Sequence, residues 1–216
     1  MKLTKPYTAP EFEKSALITI DVQCDFLDGG SCPIGGTSAA LPEMARLARL
    51  YRQAARPIIH MIRIYQPDGS NAELCRREAL EQGGQIVLPS SPGMAPAAAL
   101  LPEAEVRLDA ELLLSGEPQT LGPSEWVLFK PRWGAFFRTK LQAMLESLDI
   151  STLIFAGCNF PNCPRTSIYE ASERDFRLVL VQDAISGLYE RGREELMNIG
   201  VGLMTAEEIA ERVSKL

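Results

Sequence analysis

Short apolar runs alternate along this chain with stretches of helical spacing, and that alternation restricts the fold more than any other feature. Ala16-Leu17-Ile18-Thr19-Ile20-Asp21-Val22 is strand-length and rich in β-branched residues, so it reads as a buried strand. Ile58 to Ile64, Trp126 to Lys130, Thr152 to Ala156, Arg177 to Asp183 and Val201 to Met204 read the same way. Between them lie helical patterns. Leu41 to Ala55 carries Met44, Leu47, Ala48, Leu50, Tyr51 and Ala54 at helical spacing and is stopped by Pro57. Asn71 to Glu81 is a second helix with Asn71 as its N-cap, and Thr139 to Leu148, Pro164 to Asp175 and Tyr189 to Ile199 follow. Thr205 caps a last helix. Val106 to Leu114 reads as either strand or helix, and Pro89 to Pro102 reads as a surface excursion. Strand-helix alternation predicts an α/β fold, a mostly parallel sheet with helices on both faces and right-handed crossovers. No repeat or linker interrupts it, so residues 1–216 are expected to form a single domain, with 1–14 as an N-terminal extension.

The totals narrow the function classes. A net charge of −6 argues against a general nucleic-acid binder. No run is long and apolar enough to span a bilayer, and the N-terminus lacks the apolar core of a signal peptide. The five cysteines are odd in number and irregularly spaced, which fits a reducing cytoplasm better than a disulfide framework. There is no CxxC, and the single histidine, His60, lies within a predicted strand, where a structural role is the simpler reading. A His-based zinc site needs more than one such ligand, so no metal and no cofactor is expected.

Chemistry-bearing residues end three of the predicted strands. Asp21 ends the first, Lys130 ends the Trp126 strand, and Cys163 follows the Ile154 strand by a short loop and opens a helix. In an open parallel sheet such positions face one edge, where ligands bind. A thiol at a helix N-terminus meets unpaired N–H groups and the positive end of the dipole, both of which favour thiolate. A carboxylate and a cation beside it supply a proton acceptor and a charge that steadies both anions. Each residue also has a structural reading: Asp21 as a brace for the next turn, with Asp25 able to do either job, Lys130 as a surface lysine, and Cys163 as an inert buried thiol.

Three segments together resemble the isochorismatase-like cysteine hydrolase family: Ile18 through Phe26, Lys130-Pro131-Arg132-Trp133-Gly134-Ala135-Phe136, and Gly157 through Cys163 with Thr166. The resemblance spans about Ala16 to Met204. It implies a three-layer Rossmann-like fold and an Asp–Lys–Cys triad at Asp21, Lys130 and Cys163. It also implies a cis peptide between Cys158 and Asn159, which would aim the Asn159 N–H beside that of Cys163 as an oxyanion hole. Phe26, Trp133 and Phe136 adjoin these motifs and are candidates to contact substrate; Phe137 has the same standing. The family further implies a homo-oligomer, for which Met94 to Leu101 is a candidate contact unless it folds back on its own chain. A small molecule is the expected partner.

The chain departs from the family pattern in three places. Cys158 stands where a small aliphatic residue is usual, and Cys158 itself reads as structural. Pro164 follows the nucleophile position, which suits the first turn of a helix. The nicotinamidase branch carries an Asp/His metal cluster after the second strand, whereas here Tyr65-Gln66-Pro67-Asp68-Gly69-Ser70-Asn71 contains no histidine. The leading expectation is hydrolysis of a C–N bond in a small amide or carbamoyl compound through a thioester on Cys163. The alternatives are an isochorismatase-type vinyl ether hydrolase, which needs no thiol, and a non-catalytic binding or redox-sensing member of the fold. Arg132 is expected at the surface, with a substrate carboxylate as the other reading. Cys24, Cys32 and Cys75 are expected to be packed or incidental.

Overall fold

The computed structural model describes residues 7–103 and 106–215. Of the expected extension, residues 1–6 lie outside the described residues; Glu11 takes part in the fold, its N–H donating to Thr152 Oγ1 at 2.9 Å and its carboxylate pairing with Arg177. Seven strands form one sheet in the order β3-β4-β2-β1-β5-β6-β7. They are β1 (Ser15–Ile20), β2 (Ile58–Ile62), β3 (Gln119–Gly122), β4 (Glu125–Phe129), β5 (Thr152–Gly157), β6 (Arg177–Ile185) and β7 (Gly202–Met204). All neighbouring pairs are parallel except β3–β4. The helices are α1 (Thr37–Gln53), α2 (Leu74–Glu81), α3 (Ala110–Leu114), α4 (Leu141–Ser147), α5 (Cys163–Ser172), α6 (Glu190–Asn198) and α7 (Ala206–Val213). None is long and apolar enough to cross a membrane.

The period-two geometry of a strand divides the core. Ala16, Ile18 and Ile20 of β1 pack with Leu141, Leu145, Ile168 and Leu196 on one face of the sheet. Leu17 packs with Met44, Leu47 and Tyr51 of α1 and with Ile209 of α7 on the other. The expected three-layer α/β architecture is therefore present. Thr205 closes a capping box with Glu208 at the start of α7.

Local differences have local causes. The edge strand β3 is a finding of the structure. Its sequence, Gln119 to Gly122, has no apolar run, and antiparallel pairing with β4 makes it. Val106 to Leu114 resolves into an extended lead and the short helix α3, capped by Asp109. The second helix starts at Leu74, not Asn71, because the Asn71 side chain is spent on the preceding turn. It accepts from the Gln66 N–H at 2.8 Å and donates to the Ile64 carbonyl at 2.9 Å. Met94 to Leu101 folds back on its own chain: Met94, Ala97 and Leu100 are buried, and the Ala97 N–H bonds the Val22 carbonyl. Cys75, expected to be packed, is exposed.

Candidate active site

The sheet reverses its strand order between β1 and β5, since the chain leaves β1 for β2 on one side and returns to β5 on the other. Such a switch point opens a crevice at the carboxyl edge. Asp21 follows β1 directly, in a left-handed conformation with φ 53°. That geometry costs a non-glycine residue about 1 kcal/mol, which Asp tolerates better than most. Lys130 follows β4 and is fully buried, its backbone N–H held by the Ile62 carbonyl. Lys130 Nζ donates to Asp21 Oδ2 at 2.8 Å. The other carboxylate oxygen, Oδ1, is buried and has no hydrogen-bond partner among the described residues.

Gly157 ends β5 at φ 132°, where a Cβ would overlap the Ile20 carbonyl oxygen. Only glycine permits this approach of β5 to β1. The loop then turns through Asn159 to Asn162, and Cys163 opens α5 with Pro164 behind it. The expected cis bond is absent: the Cys158–Asn159 peptide is trans, as are all peptide bonds among the described residues. Trans is the low-energy state for a non-proline residue, and Gly157 supplies the reversal. The N–H groups of Phe160 and Asn162 are taken by the Ser186 and Asn159 carbonyls. Those of Asn159 and Cys163 have no acceptor among the described residues, and both residues line the pocket.

The Cys163 thiol is half-buried and is pushed up to about 12. Burial is the largest cause and the Asp21 charge the next, with Lys130 opposing. Desolvation and the adjacent carboxylate thus act against the pull of the helix terminus toward thiolate. Cys158 is buried, donates to the Asp21 carbonyl at 2.9 Å, and is raised by burial first and Asp21 second.

The loop after Lys130 is tied to α5. The Ala135 N–H donates to Ser167 Oγ at 3.0 Å and the Phe136 N–H to Glu170 Oε2 at 2.8 Å. Trp133, on that loop, lines the pocket, as does Phe26. Phe136 is placed elsewhere, buried in the core with its ring centroid 5.9 Å from that of Phe176. Phe137 is exposed. Arg132 donates to the Asn71 and Pro131 carbonyls, which steadies the turn after β2.

The structure adds residues that the sequence did not single out. Arg63, Tyr65, Glu73 and Arg76 all line the pocket. Arg63 bonds the Lys130 carbonyl, Tyr65 Oη and the Glu73 carboxylate, and Tyr65 donates to Glu73 at 2.9 Å. A signal was present in Arg63, a charge inside an apolar run. The donors after β2 do not fit a metal of the nicotinamidase kind. Asn71 is spent on the turn, Asp68 accepts from the Ser70 N–H, and the segment from Tyr65 to Asn71 contains no histidine. The pocket at the cysteine is walled by Phe26, Ile34, Tyr65 and Trp133 as well as by its polar residues.

A family model for the Isochorismatase domain matches residues 15–208. The chain is 26% identical to a protein of Arabidopsis thaliana named "Probable inactive nicotinamidase", over 95% of this chain and 100% of that one. It is 26% identical to a maleamate amidohydrolase of Pseudomonas putida, over 80% of this chain and 72% of that one. Among solved structures, an isochorismatase family protein from Desulfovibrio vulgaris superposes with a TM-score of 0.78 at 27% identity, covering 93% of this chain and 98% of that one.

Proposed function

This chain belongs to the isochorismatase family, and we propose that it is a cysteine hydrolase that cleaves the C–N bond of a small amide or carbamoyl compound. The observation that carries this reading is Asp21: one oxygen is held by Lys130 Nζ at 2.8 Å, the other is buried without a hydrogen-bond partner among the described residues, and the carboxylate is close enough to the Cys163 thiol to raise it. A base so placed takes a proton only when chemistry delivers one. Amidohydrolases among the relatives, such as the maleamate enzyme, agree with it.

In this mechanism the Cys163 proton passes to Asp21 as sulfur attacks the carbonyl carbon. The Asn159 and Cys163 N–H groups receive the oxyanion. Asp21 then protonates the leaving nitrogen, the C–N bond breaks, and an amine or ammonia departs. Water gives a proton to Asp21 and attacks the thioester. The C–S bond breaks, the sulfur recovers its proton from Asp21, and an acid is released. A thiol protonated at rest suits this cycle, because it enters each turn carrying the proton the leaving group needs. Lys130 positions Asp21 through its hydrogen bond to Oδ2.

A thiol pushed up to about 12 also favours a second reading, vinyl ether hydrolysis by Asp21 without sulfur chemistry. The two separate in one experiment. Ammonia release from a panel of short amides and carbamoyl compounds, and carbonyl release from a panel of short vinyl ethers, are measured for the wild type and for Cys163→Ala. Release by the wild type alone supports the hydrolase. Full activity in Cys163→Ala on any substrate moves the reaction to the thiol-independent route. No release from any compound leaves the non-catalytic reading in front.

A further inference from the structure

The charges around the pocket narrow the substrate class. Asp21 is answered by Lys130, and Glu73 by Arg63. Arg76 also lines the pocket, on the first turn of α2. Among the described residues it has no carboxylate within ion-pairing distance, and none of its side-chain N–H groups has an acceptor. Three cations therefore meet two carboxylates, and Arg76 is the cation left over. Its neighbour Arg77 is used differently, donating to the Ala72 carbonyl and packing over Gly69.

Arg76 is held on the pocket side by construction. Glu73 caps α2, and its carboxylate is anchored by Arg63 and Tyr65 of the turn from β2. Residues three apart on a helix share a face, so Arg76 follows Glu73 toward the pocket. The Tyr65 hydroxyl, raised by burial, is lowered in lesser part by the Arg76 charge, which places that guanidinium near the pocket wall. A planar guanidinium with free donors is suited to a carboxylate, which it binds through two parallel hydrogen bonds.

We propose that Arg76 is a specificity-determining residue that receives a carboxylate on the substrate. The preferred substrate is then a short acid-amide, with the scissile C–N bond at Cys163 and an anionic end at Arg76. This rests on the hydrolase reading, and the test separates the two. Cys163 is alkylated with iodoacetate and with iodoacetamide, which differ in charge and little in size. Rates are read by peptide mapping and divided by those of N-acetylcysteine in the same tube. In the wild type the anionic reagent should be favoured relative to the free thiol. Arg76→Gln should cut that preference about tenfold or more, the worth of a charge-assisted hydrogen bond. Arg76→Lys should keep part of it. An unchanged preference in Arg76→Gln, with Cys163 still labelled, overturns the carboxylate subsite and leaves the hydrolase standing. No labelling of Cys163 by either reagent, with Cys75 labelled, overturns the subsite, and the hydrolase reading is then decided by the amide panel alone.

Discussion

Two buried polar networks begin two residues apart on the first strand and differ in one respect. Thr19 points to the α1 face, where its hydroxyl meets His60 Nδ1 at 2.7 Å. His60 Nε2 meets Glu125 at 2.8 Å, and Arg52 grips the same carboxylate at 2.6 and 2.7 Å. Every member has partners, so the network binds β1, β2, β4 and α1 together. Burial raises the Glu125 carboxyl, yet the hydrogen bonds from Arg52 and His60 win and hold it below its ordinary 4.5. Asp21 and Lys130 form the other network, and it is left incomplete: Oδ1 has no hydrogen-bond partner among the described residues, and the backbone is left-handed. A closed buried network serves structure, because an unmet polar atom is costly there. An incomplete one is kept where a reacting group completes it.

This contrast can be broken by substitution. The largest effect should come from Cys163→Ala, which is expected to abolish amide turnover, a loss of about 10⁴-fold or more, with little change in stability. Asp21→Asn should lower turnover about 10³-fold. It also removes the charge that raises the thiol, so thiolate absorbance in the ultraviolet should appear at lower pH than in the wild type. Turnover and thiolate falling together would contradict the role given to Asp21. Glu125→Gln should leave activity per folded molecule unchanged and cost about 3 kcal/mol in denaturant unfolding, because it strands buried partners. A loss of activity with full stability would erase the distinction between the networks. The smallest effect concerns pH. Glu125 is lowered on folding, so its contribution is present above about pH 4.5 and is lost as pH falls through its lower folded value. Wild-type stability should drop in that acid range more than that of Glu125→Gln, measured by unfolding at a series of pH values.

Much of the fold was legible because buried parallel strands must be continuous apolar runs, and β1, β2 and β5 are. The placement of Asp21, Lys130 and Cys163 followed from the same logic, since each ends a run and the sheet has one carboxyl edge. What stayed hidden depends on partners distant in sequence. Glu125 is buried because Arg52 and His60 meet it, and nothing around position 125 shows that. Asn71 carries cap chemistry, but its amide turned back to the preceding loop. Arg76 adjoins Arg77 in the sequence, a pattern that by itself says only solvated helix face, and it is the closed Arg63–Glu73 pair that leaves Arg76 as the unanswered charge. For the thiol, the helix terminus is written in the sequence, while desolvation and the nearness of Asp21 arise only from packing.

The most direct measurement is mass spectrometry of the Cys163 peptide, quenched in acid during turnover of an amide that the wild type hydrolyses. The account predicts an acyl increment on Cys163 that hydroxylamine removes and that Asp21→Asn fails to form. Turnover at full rate with Cys163 unmodified, and equal turnover by Cys163→Ala, would contradict it.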